Sequence, residues 1–123
     1  MNVLVIANPG AGTGHTRRAV HTLCNVLERR GHFVDAWMAQ KPGDWGDRLN
    51  ALPAHVDRLV IAGGDGTVNA VLNRLPDPSR IPLLHLGTGT ANILARDLGL
   101  PREPEALVDV LEHGAIHKVD MGL

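Results

Sequence analysis

The chain has 123 residues, of which 44% are hydrophobic and 20% charged, and its formal net charge is −1. The near-neutral charge excludes the basic field that recruits nucleic acid, and the three aromatic residues (Phe33, Trp37 and Trp45) provide no stacking platform for unpaired bases. Length and composition are typical of one globular domain, so we expect residues 1–123 to form a single domain.

Localisation is predicted from features that the sequence lacks. Cys24 has no partner for an internal disulfide, which is typical of a reducing compartment. No apolar run approaches the roughly 18 residues of a membrane-spanning helix, and the N-terminus does not resemble a signal peptide. We therefore expect a cytoplasmic protein without a transmembrane segment.

Hydrophobic periodicity alternates between the strand and the helix pattern along the whole chain. Apolar runs predict strands at 3–7, 33–38, 59–62, 83–86 and 116–121. Apolar residues at helical spacing predict helices at 15–30, 45–52, 68–75, 91–98 and 104–112. This alternation predicts an α/β fold, a parallel sheet with helices on both faces. His85, inside a predicted strand, is interpreted as a hydrogen-bonded core residue rather than a catalyst.

The most informative stretch is 60–69, Val-Ile-Ala-Gly-Gly-Asp-Gly-Thr-Val-Asn. It predicts a buried strand that ends in glycines and passes directly into a helix. Such a corner exposes backbone N–H groups and the positive end of the helix, which together bind phosphate. Because Asp65 would repel a bare phosphate, the stretch predicts a nucleotide that is accompanied by Mg²⁺. The alternative is a glycine-rich turn that binds no ligand. The specific order Gly-Gly-Asp-Gly-Thr, followed by Val-Asn, favours the binding site over this alternative.

Corners rich in small residues follow three of the predicted strands, at 8–14, 63–67 and 87–90. The carboxyl ends of parallel strands lie at one edge of a sheet, so the topology brings these corners together. The first corner differs from a Walker P-loop at Pro9 and His15, and from a dinucleotide-binding fingerprint at His15. Neither a Walker ATPase nor a Rossmann dehydrogenase is therefore supported. For Thr88 and Thr90, helix N-capping is an alternative to phosphate contact.

Four sequence blocks, in family order, resemble the catalytic domain of the diacylglycerol kinase and sphingosine kinase family, and most closely its soluble bacterial lipid kinases. They are Asn8-Pro9 with Gly12-Thr13-Gly14, then 63–69, then Gly89-Thr90-Ala91-Asn92 continuing to Pro101, and Val119-Asp120-Met121-Gly122. The resemblance spans essentially the whole chain. It implies a fold related to NAD kinase and phosphofructokinase, and ATP-dependent phosphorylation of a lipid hydroxyl on a diacylglycerol or sphingoid-like acceptor.

The resemblance also implies roles for individual residues. Asp65 would lie beside the phosphates and Mg²⁺ as the candidate catalytic residue, bonded to a magnesium-bound water or, less favoured, acting as a general base. Arg96 and Asp120 would belong to the polar network behind it. The implied nucleotide-binding residues are Asn8, Pro9, Gly10, Ala11, Gly12, Gly63, Gly64, Asp65, Gly66, Thr67, Val68, Asn69, Thr90, Arg96 and Asp120. No protein-only metal site is expected, since Gly114 should end the helix between His113 and His117.

The sequence departs from the family pattern at Ala39, Ala70 and Ile93, which puts one nucleotide contact and the fine metal geometry in question. Family members add a second, β-rich domain that supplies the lipid pocket and further metal ligands. We therefore expect residues 1–123 alone to bind nucleotide weakly and to turn over poorly. Transient contact with a membrane surface and a homodimer are compatible with this reading. The alternatives are a non-catalytic nucleotide-binding module or truncated fragment and, less favoured, an NAD kinase.

Overall fold

The computed structural model describes residues 1–8, 14–39, 45 and 48–116. The order of its strands and helices is the one that the sequence predicts, except that no α-helix is described between the second and third strands. The elements are β1 (Asn2–Ala7), α1 (His15–Arg29), β2 (Phe33–Met38), β3 (Arg58–Gly63), α2 (Asp65–Arg74), β4 (Leu83–Gly87), α3 (Ile93–Asp97) and α4 (Pro104–His113). Of the strand predicted at 116–121, all but Ile116 lies outside the described residues.

The strands form one parallel sheet in the order β2-β1-β3-β4. The chain runs from β1 outward to β2 and then returns past β1 to β3. The strand order therefore reverses between β1 and β3. β1 lies between β2 and β3 in the sheet, so that Val5 is flanked by Ala36 of β2 and Val60 of β3. In open α/β sheets, ligands bind at the carboxyl ends of the strands beside such a switch point. Asn8 and Gly64 directly follow the two strands that flank it.

Helices cover both faces of the sheet, which confirms the predicted fold class. Because successive strand residues point to opposite faces, β1 supplies Val3, Val5 and Ala7 to one core and Leu4 and Ile6 to the other. The first core is closed by α1 and α4 through Val20, Leu23, Leu27, Leu107 and Leu111. The second is closed by α2 and the segment before β3, through Val68, Val71, Trp45 and Leu49.

Two predicted helices differ from what is observed. In the predicted helix at 45–52, the described residues Trp45, Arg48 and Leu49 have 3₁₀ geometry; the buried side chains of Trp45 and Leu49 keep the helical spacing that the sequence shows. The helix predicted at 91–98 begins only at Ile93, because Asn92 adopts a left-handed backbone with φ +52°. No helix in the described part of the chain has the length and apolarity needed to cross a membrane.

Candidate functional site

The predicted corners lie at the carboxyl edge of the sheet, after β1, β3 and β4. Asn8 is partly buried and directly follows β1. The next residues of that corner, Pro9, Gly10, Ala11 and Gly12, lie outside the described residues. The described part of the candidate site therefore consists of Asn8 and the corners that follow β3 and β4.

The corner between β3 and α2 turns within two residues. Gly63 has φ +150°, a conformation that L side chains rarely adopt, and a Cβ there would lie 2.6 Å from Thr67 Oγ1. Gly64 is the N-cap of α2, and the helix begins at Asp65. The N–H groups of the first turn have no intrahelical acceptor, so they and the positive end of the helix dipole face the carboxyl edge.

Two donors hold the carbonyl oxygen of Gly63. The backbone N–H of Thr88 donates to it at 3.1 Å, and His85 Nε2 lies 2.8 Å from it. Since a carbonyl only accepts, Nε2 carries the hydrogen. Burial lowers the pKa of His85, which is 1% exposed, because desolvation disfavours the charged imidazole.

Asn92 organises the corner between β4 and α3. Its side chain is buried, accepts a hydrogen bond from the Gly89 N–H and donates one to the Gly89 carbonyl, both at 3.0 Å. A Cβ on Gly89 would lie 2.6 Å from the Cα of Gly64. The turns after β3 and β4 therefore touch backbone to backbone, an approach that only glycine at position 89 permits.

Asp65 connects the same two corners through its side chain. Its Oδ1 accepts a hydrogen bond of 2.7 Å from the N–H of Ile93, the first residue of α3. Asp65 thus caps α3, a role for which Thr88 and Thr90 were the sequence-based candidates. Thr88 Oγ1 instead lies 2.7 Å from Thr16 Oγ1, which connects the corner to the first turn of α1. Thr90 is exposed.

The side chains of the other predicted site residues on α2 and α3 form no hydrogen bond with this cluster in the part of the chain that the structure describes. Val68 is 3% exposed and packs in the core, so only its backbone could contact a ligand. Asn69 is exposed on α2. Arg96 is exposed on α3, and no described residue forms a hydrogen bond or ion pair with its side chain, so its place in a polar network stays a prediction. Asp120 lies outside the described residues.

Sequence reasoning missed three residues that shape the corners. Thr16 lies on the core-facing side of α1. A hydroxyl among the apolar residues of that side could have indicated a buried polar contact. Asn92 belongs to the small group of residues that tolerate a left-handed backbone. Arg102 donates from Nη2 to the Gly89 carbonyl at 3.2 Å, a contact that no sequence pattern indicates.

Gly66 differs from the other corner glycines. It lies in the first turn of α2, and a Cβ added there would meet no described atom within 4 Å. Packing among the described residues therefore does not require glycine, although glycine is a poor helix former. A ligand that approaches the backbone would require it. The open space, the first-turn amides and the Asp65 carboxylate together fit a phosphate accompanied by a cation.

The donor set of the described residues does not amount to a metal site of its own. No group of three or more His, Cys, Asp or Glu side chains among them could hold a metal ion. Two cavities, of about 70 and 220 Å³, lie near the amino ends of the strands and are not lined by the corner glycines. A magnesium ion at the corners would therefore have to be held largely by the nucleotide that carries it.

Comparisons with known proteins agree with this geometry. The family model described as the diacylglycerol kinase catalytic domain matches residues 2–123. Proteins named diacylglycerol kinase from Staphylococcus saprophyticus and Staphylococcus epidermidis are 33% and 35% identical over 120 residues, 96% of this chain. The chain spans only 39% and 38% of the length of those relatives.

A solved structure extends the likeness to the fold. The crystal structure of a diacylglycerol kinase from Bacillus anthracis superposes with a TM-score of 0.71 at 29% identity. The match covers 91% of this chain and 44% of that one. With the family model matching from Asn2 to the last residue, the chain belongs to the diacylglycerol kinase catalytic-domain family.

Proposed function

We propose that residues 1–123 are the nucleotide-binding domain of a lipid kinase, which transfers a phosphoryl group from Mg·ATP to the hydroxyl of a diacylglycerol or sphingoid-like lipid. The observation that carries the nucleotide part is Gly66, a glycine in a helical first turn where an added Cβ would meet no atom of the described residues within 4 Å. Membership of the diacylglycerol kinase family supports the lipid part.

The described residues have distinct roles in this proposal. The first-turn amides of α2 hold phosphate oxygens, and the missing side chain of Gly66 lets the phosphates approach the backbone. Asp65 accepts a hydrogen bond from water in the shell of the bound cation, while its Oδ1 keeps α3 in place. Mg²⁺, when bound with the nucleotide, neutralises negative charge on the phosphates. Positioning and charge stabilisation are what phosphoryl transfer asks of a protein.

The lipid acceptor would be bound largely by parts of the enzyme that this chain does not contain, since it spans about two fifths of its relatives. The isolated chain should therefore bind Mg·ATP weakly and transfer phosphate poorly. Vigorous phosphorylation of diacylglycerol by these 123 residues alone would contradict this division of labour.

A non-catalytic nucleotide-binding role is the second candidate. Ile93 favours this role. It is 57% exposed and its N–H is bonded to Asp65, but its side chain supplies no carboxylate that could help to hold a metal ion. Full-length enzyme that binds Mg·ATP without phosphorylating any lipid hydroxyl would support this candidate over the kinase.

The test is a calorimetric titration of Mg·ATP into this chain, with thermal unfolding measured in parallel. Gly66→Ala should abolish or strongly weaken binding without lowering the melting temperature. Asn73→Ala, in an exposed position near the other end of the same helix, is the matched control and should leave binding unchanged. Wild-type affinity in Gly66→Ala, or displacement of ATP by NAD at equal concentration, would contradict the proposal.

A further inference from the structure

The buried polar side chains among the described residues are not scattered through the core. They are Thr16, Thr67, His85 and Asn92, each less than 9% exposed, and each contacts a residue of the corners after β3 and β4. His85 stands out because it is aromatic, titratable and 1% exposed between two buried leucines of β4. Burying an imidazole is costly unless both ring nitrogens are satisfied.

Among the described residues, only one of the two ring nitrogens of His85 has a hydrogen-bond partner. Nε2 donates to the Gly63 carbonyl at 2.8 Å, whereas Nδ1 is buried and no described residue bonds to it. An aliphatic side chain would fill this position without an orphaned acceptor, and Thr88 N–H would still bond the carbonyl. Packing therefore does not explain why this position holds a histidine. The hydrogen bond to Gly63 is the one interaction described for His85 that an aliphatic side chain could not make.

The contact with Gly63 reaches the candidate site through one peptide group. The carbonyl of Gly63 and the N–H of Gly64 belong to the same planar, trans peptide, so they point in opposite directions. By holding the carbonyl toward β4, His85 directs the Gly64 N–H to the opposite side of β3, the side of β1 and of the point where the strand order reverses. Gly64 is the N-cap of α2, and its N–H is among the donors that the helix leaves unsatisfied.

We infer that His85 is a positioning residue for the nucleotide site, which fixes the Gly63–Gly64 peptide so that the amides at the start of α2 remain aimed at phosphate. The inference rests on the proposed function. His85 itself touches no ligand; it acts through Gly63. Its Nε2–H is the second donor to the Gly63 carbonyl, beside the Thr88 N–H, and the two together fix the direction of the peptide more tightly than one could.

The test compares His85→Leu, which removes the donor, with His85→Gln, whose amide nitrogen reaches about as far as Nε2. Leu59→Val, a buried position at the opposite end of β3, is the control for lost stability alone. His85→Leu should raise the Kd for Mg·ATP about tenfold, equivalent to about 1.4 kcal/mol. His85→Gln should restore most of the affinity. The control should lower the melting temperature without changing Kd.

Amide hydrogen exchange of Gly64, Asp65 and Gly66 provides a readout that needs no nucleotide. Exchange should accelerate in His85→Leu but not in His85→Gln or the control. If the wild-type chain does not bind Mg·ATP, the proposed function fails. The exchange measurement still decides whether His85 fixes the amides at the start of α2. Wild-type exchange and Kd in His85→Leu would overturn the inference, as would a His85→Gln variant that behaves like His85→Leu.

Should His85→Leu fail to fold, nitrogen NMR of the wild-type imidazole replaces it. The inference requires a neutral ring protonated at Nε2 and a hydrogen bond to Gly63. A charged ring, or one protonated at Nδ1, would overturn it.

Discussion

The carboxylate of Asp65 accepts a 2.7 Å hydrogen bond from the N–H of Ile93 and so joins the first turn of α2 to the first turn of α3. Asn92, the N-cap of α3, provides no side-chain cap, and Asp65 fills that role from 28 positions away. The residue proposed to act beside the phosphates therefore also holds two corners of the site in register. Variants of Asp65 must separate these roles.

Asp65→Asn and Asp65→Ala should separate charge from capping. Asparagine keeps an oxygen for the Ile93 N–H, so the free energy of unfolding should stay near that of the wild type. Alanine should lose about 0.5–2 kcal/mol, the usual cost of a removed cap. Both variants should bind Mg·ATP more weakly than the wild type, because both lose the charge. Urea denaturation and calorimetry check the two effects; equal stability of the two variants would contradict the capping role.

Gly89→Ala should destabilise the chain by about 1–3 kcal/mol, the range for forcing atoms into a filled space. Its Cβ would lie 2.6 Å from the Gly64 Cα, a backbone atom that cannot rotate away. Gly66→Ala adds the same methyl group where no described atom lies within 4 Å, and should be neutral or stabilising by up to about 1 kcal/mol. Thermal unfolding of both variants is the measurement, and similar melting temperatures would refute the close contact.

Thr16 and Thr88 should be energetically coupled. Their hydroxyls lie 2.7 Å apart, and either one can donate. A double-mutant cycle with Thr16→Val and Thr88→Val should give a coupling energy of about 0.5–1.5 kcal/mol, typical of one hydrogen bond. Thr22→Val is the control, since the Thr22 hydroxyl donates to the Arg18 carbonyl on an exposed part of α1. Coupling no larger than that between Thr22 and Thr88 would indicate that the contact adds no stability.

Acid should weaken the contact between the end of α1 and α4. His32 Nε2 lies 2.7 Å from Glu112 Oε2, and Arg30 Nη1 lies 2.8 Å from Oε1; these partners, His32 first, lower the pKa of Glu112. A lowered pKa in the folded state means that the stabilisation is present above the pKa of the unfolded chain, about 4.3, and is lost as the pH falls through the folded value.

The measurement is the free energy of unfolding of the wild type and Glu112→Gln between pH 7 and pH 3. The wild type should be the more stable at pH 7, and the gap should close with acidification. Glu105→Gln is the control, because the Glu105 carboxylate lies 3.6 Å from Arg30 Nη2 and is 66% exposed. A gap that stays constant with pH would contradict the assignment.

The sequence by itself determined the order and kind of most elements and the edge of the sheet at which the candidate site lies. Apolar runs such as 3–7 and helical spacing in 15–30 are local signals, and the alternation of strands with helices along most of the chain leaves few arrangements other than a parallel sheet. The corners after β3 and β4 then meet because parallel strands end at the same edge. The 3₁₀ geometry at Trp45 and Leu49 and the late start of α3 escaped prediction, since spacing does not report backbone conformation.

Only the tertiary structure decided which side chains and backbones meet at that edge. Gly66 and Gly89 both lie in glycine-rich corners. No atom in the described part of the chain would meet a Cβ on Gly66, whereas Gly89 lies against the Gly64 backbone. Asp65 was predicted to be a site residue because of its charge. Its hydrogen bond to the Ile93 N–H, in contrast, joins two corners that are far apart in the chain. His85 was predicted to be a core residue from its place in a strand, but its contact with Gly63 exists only because β4 lies beside β3. Periodicity encodes burial, whereas contacts between distant residues depend on how the elements pack.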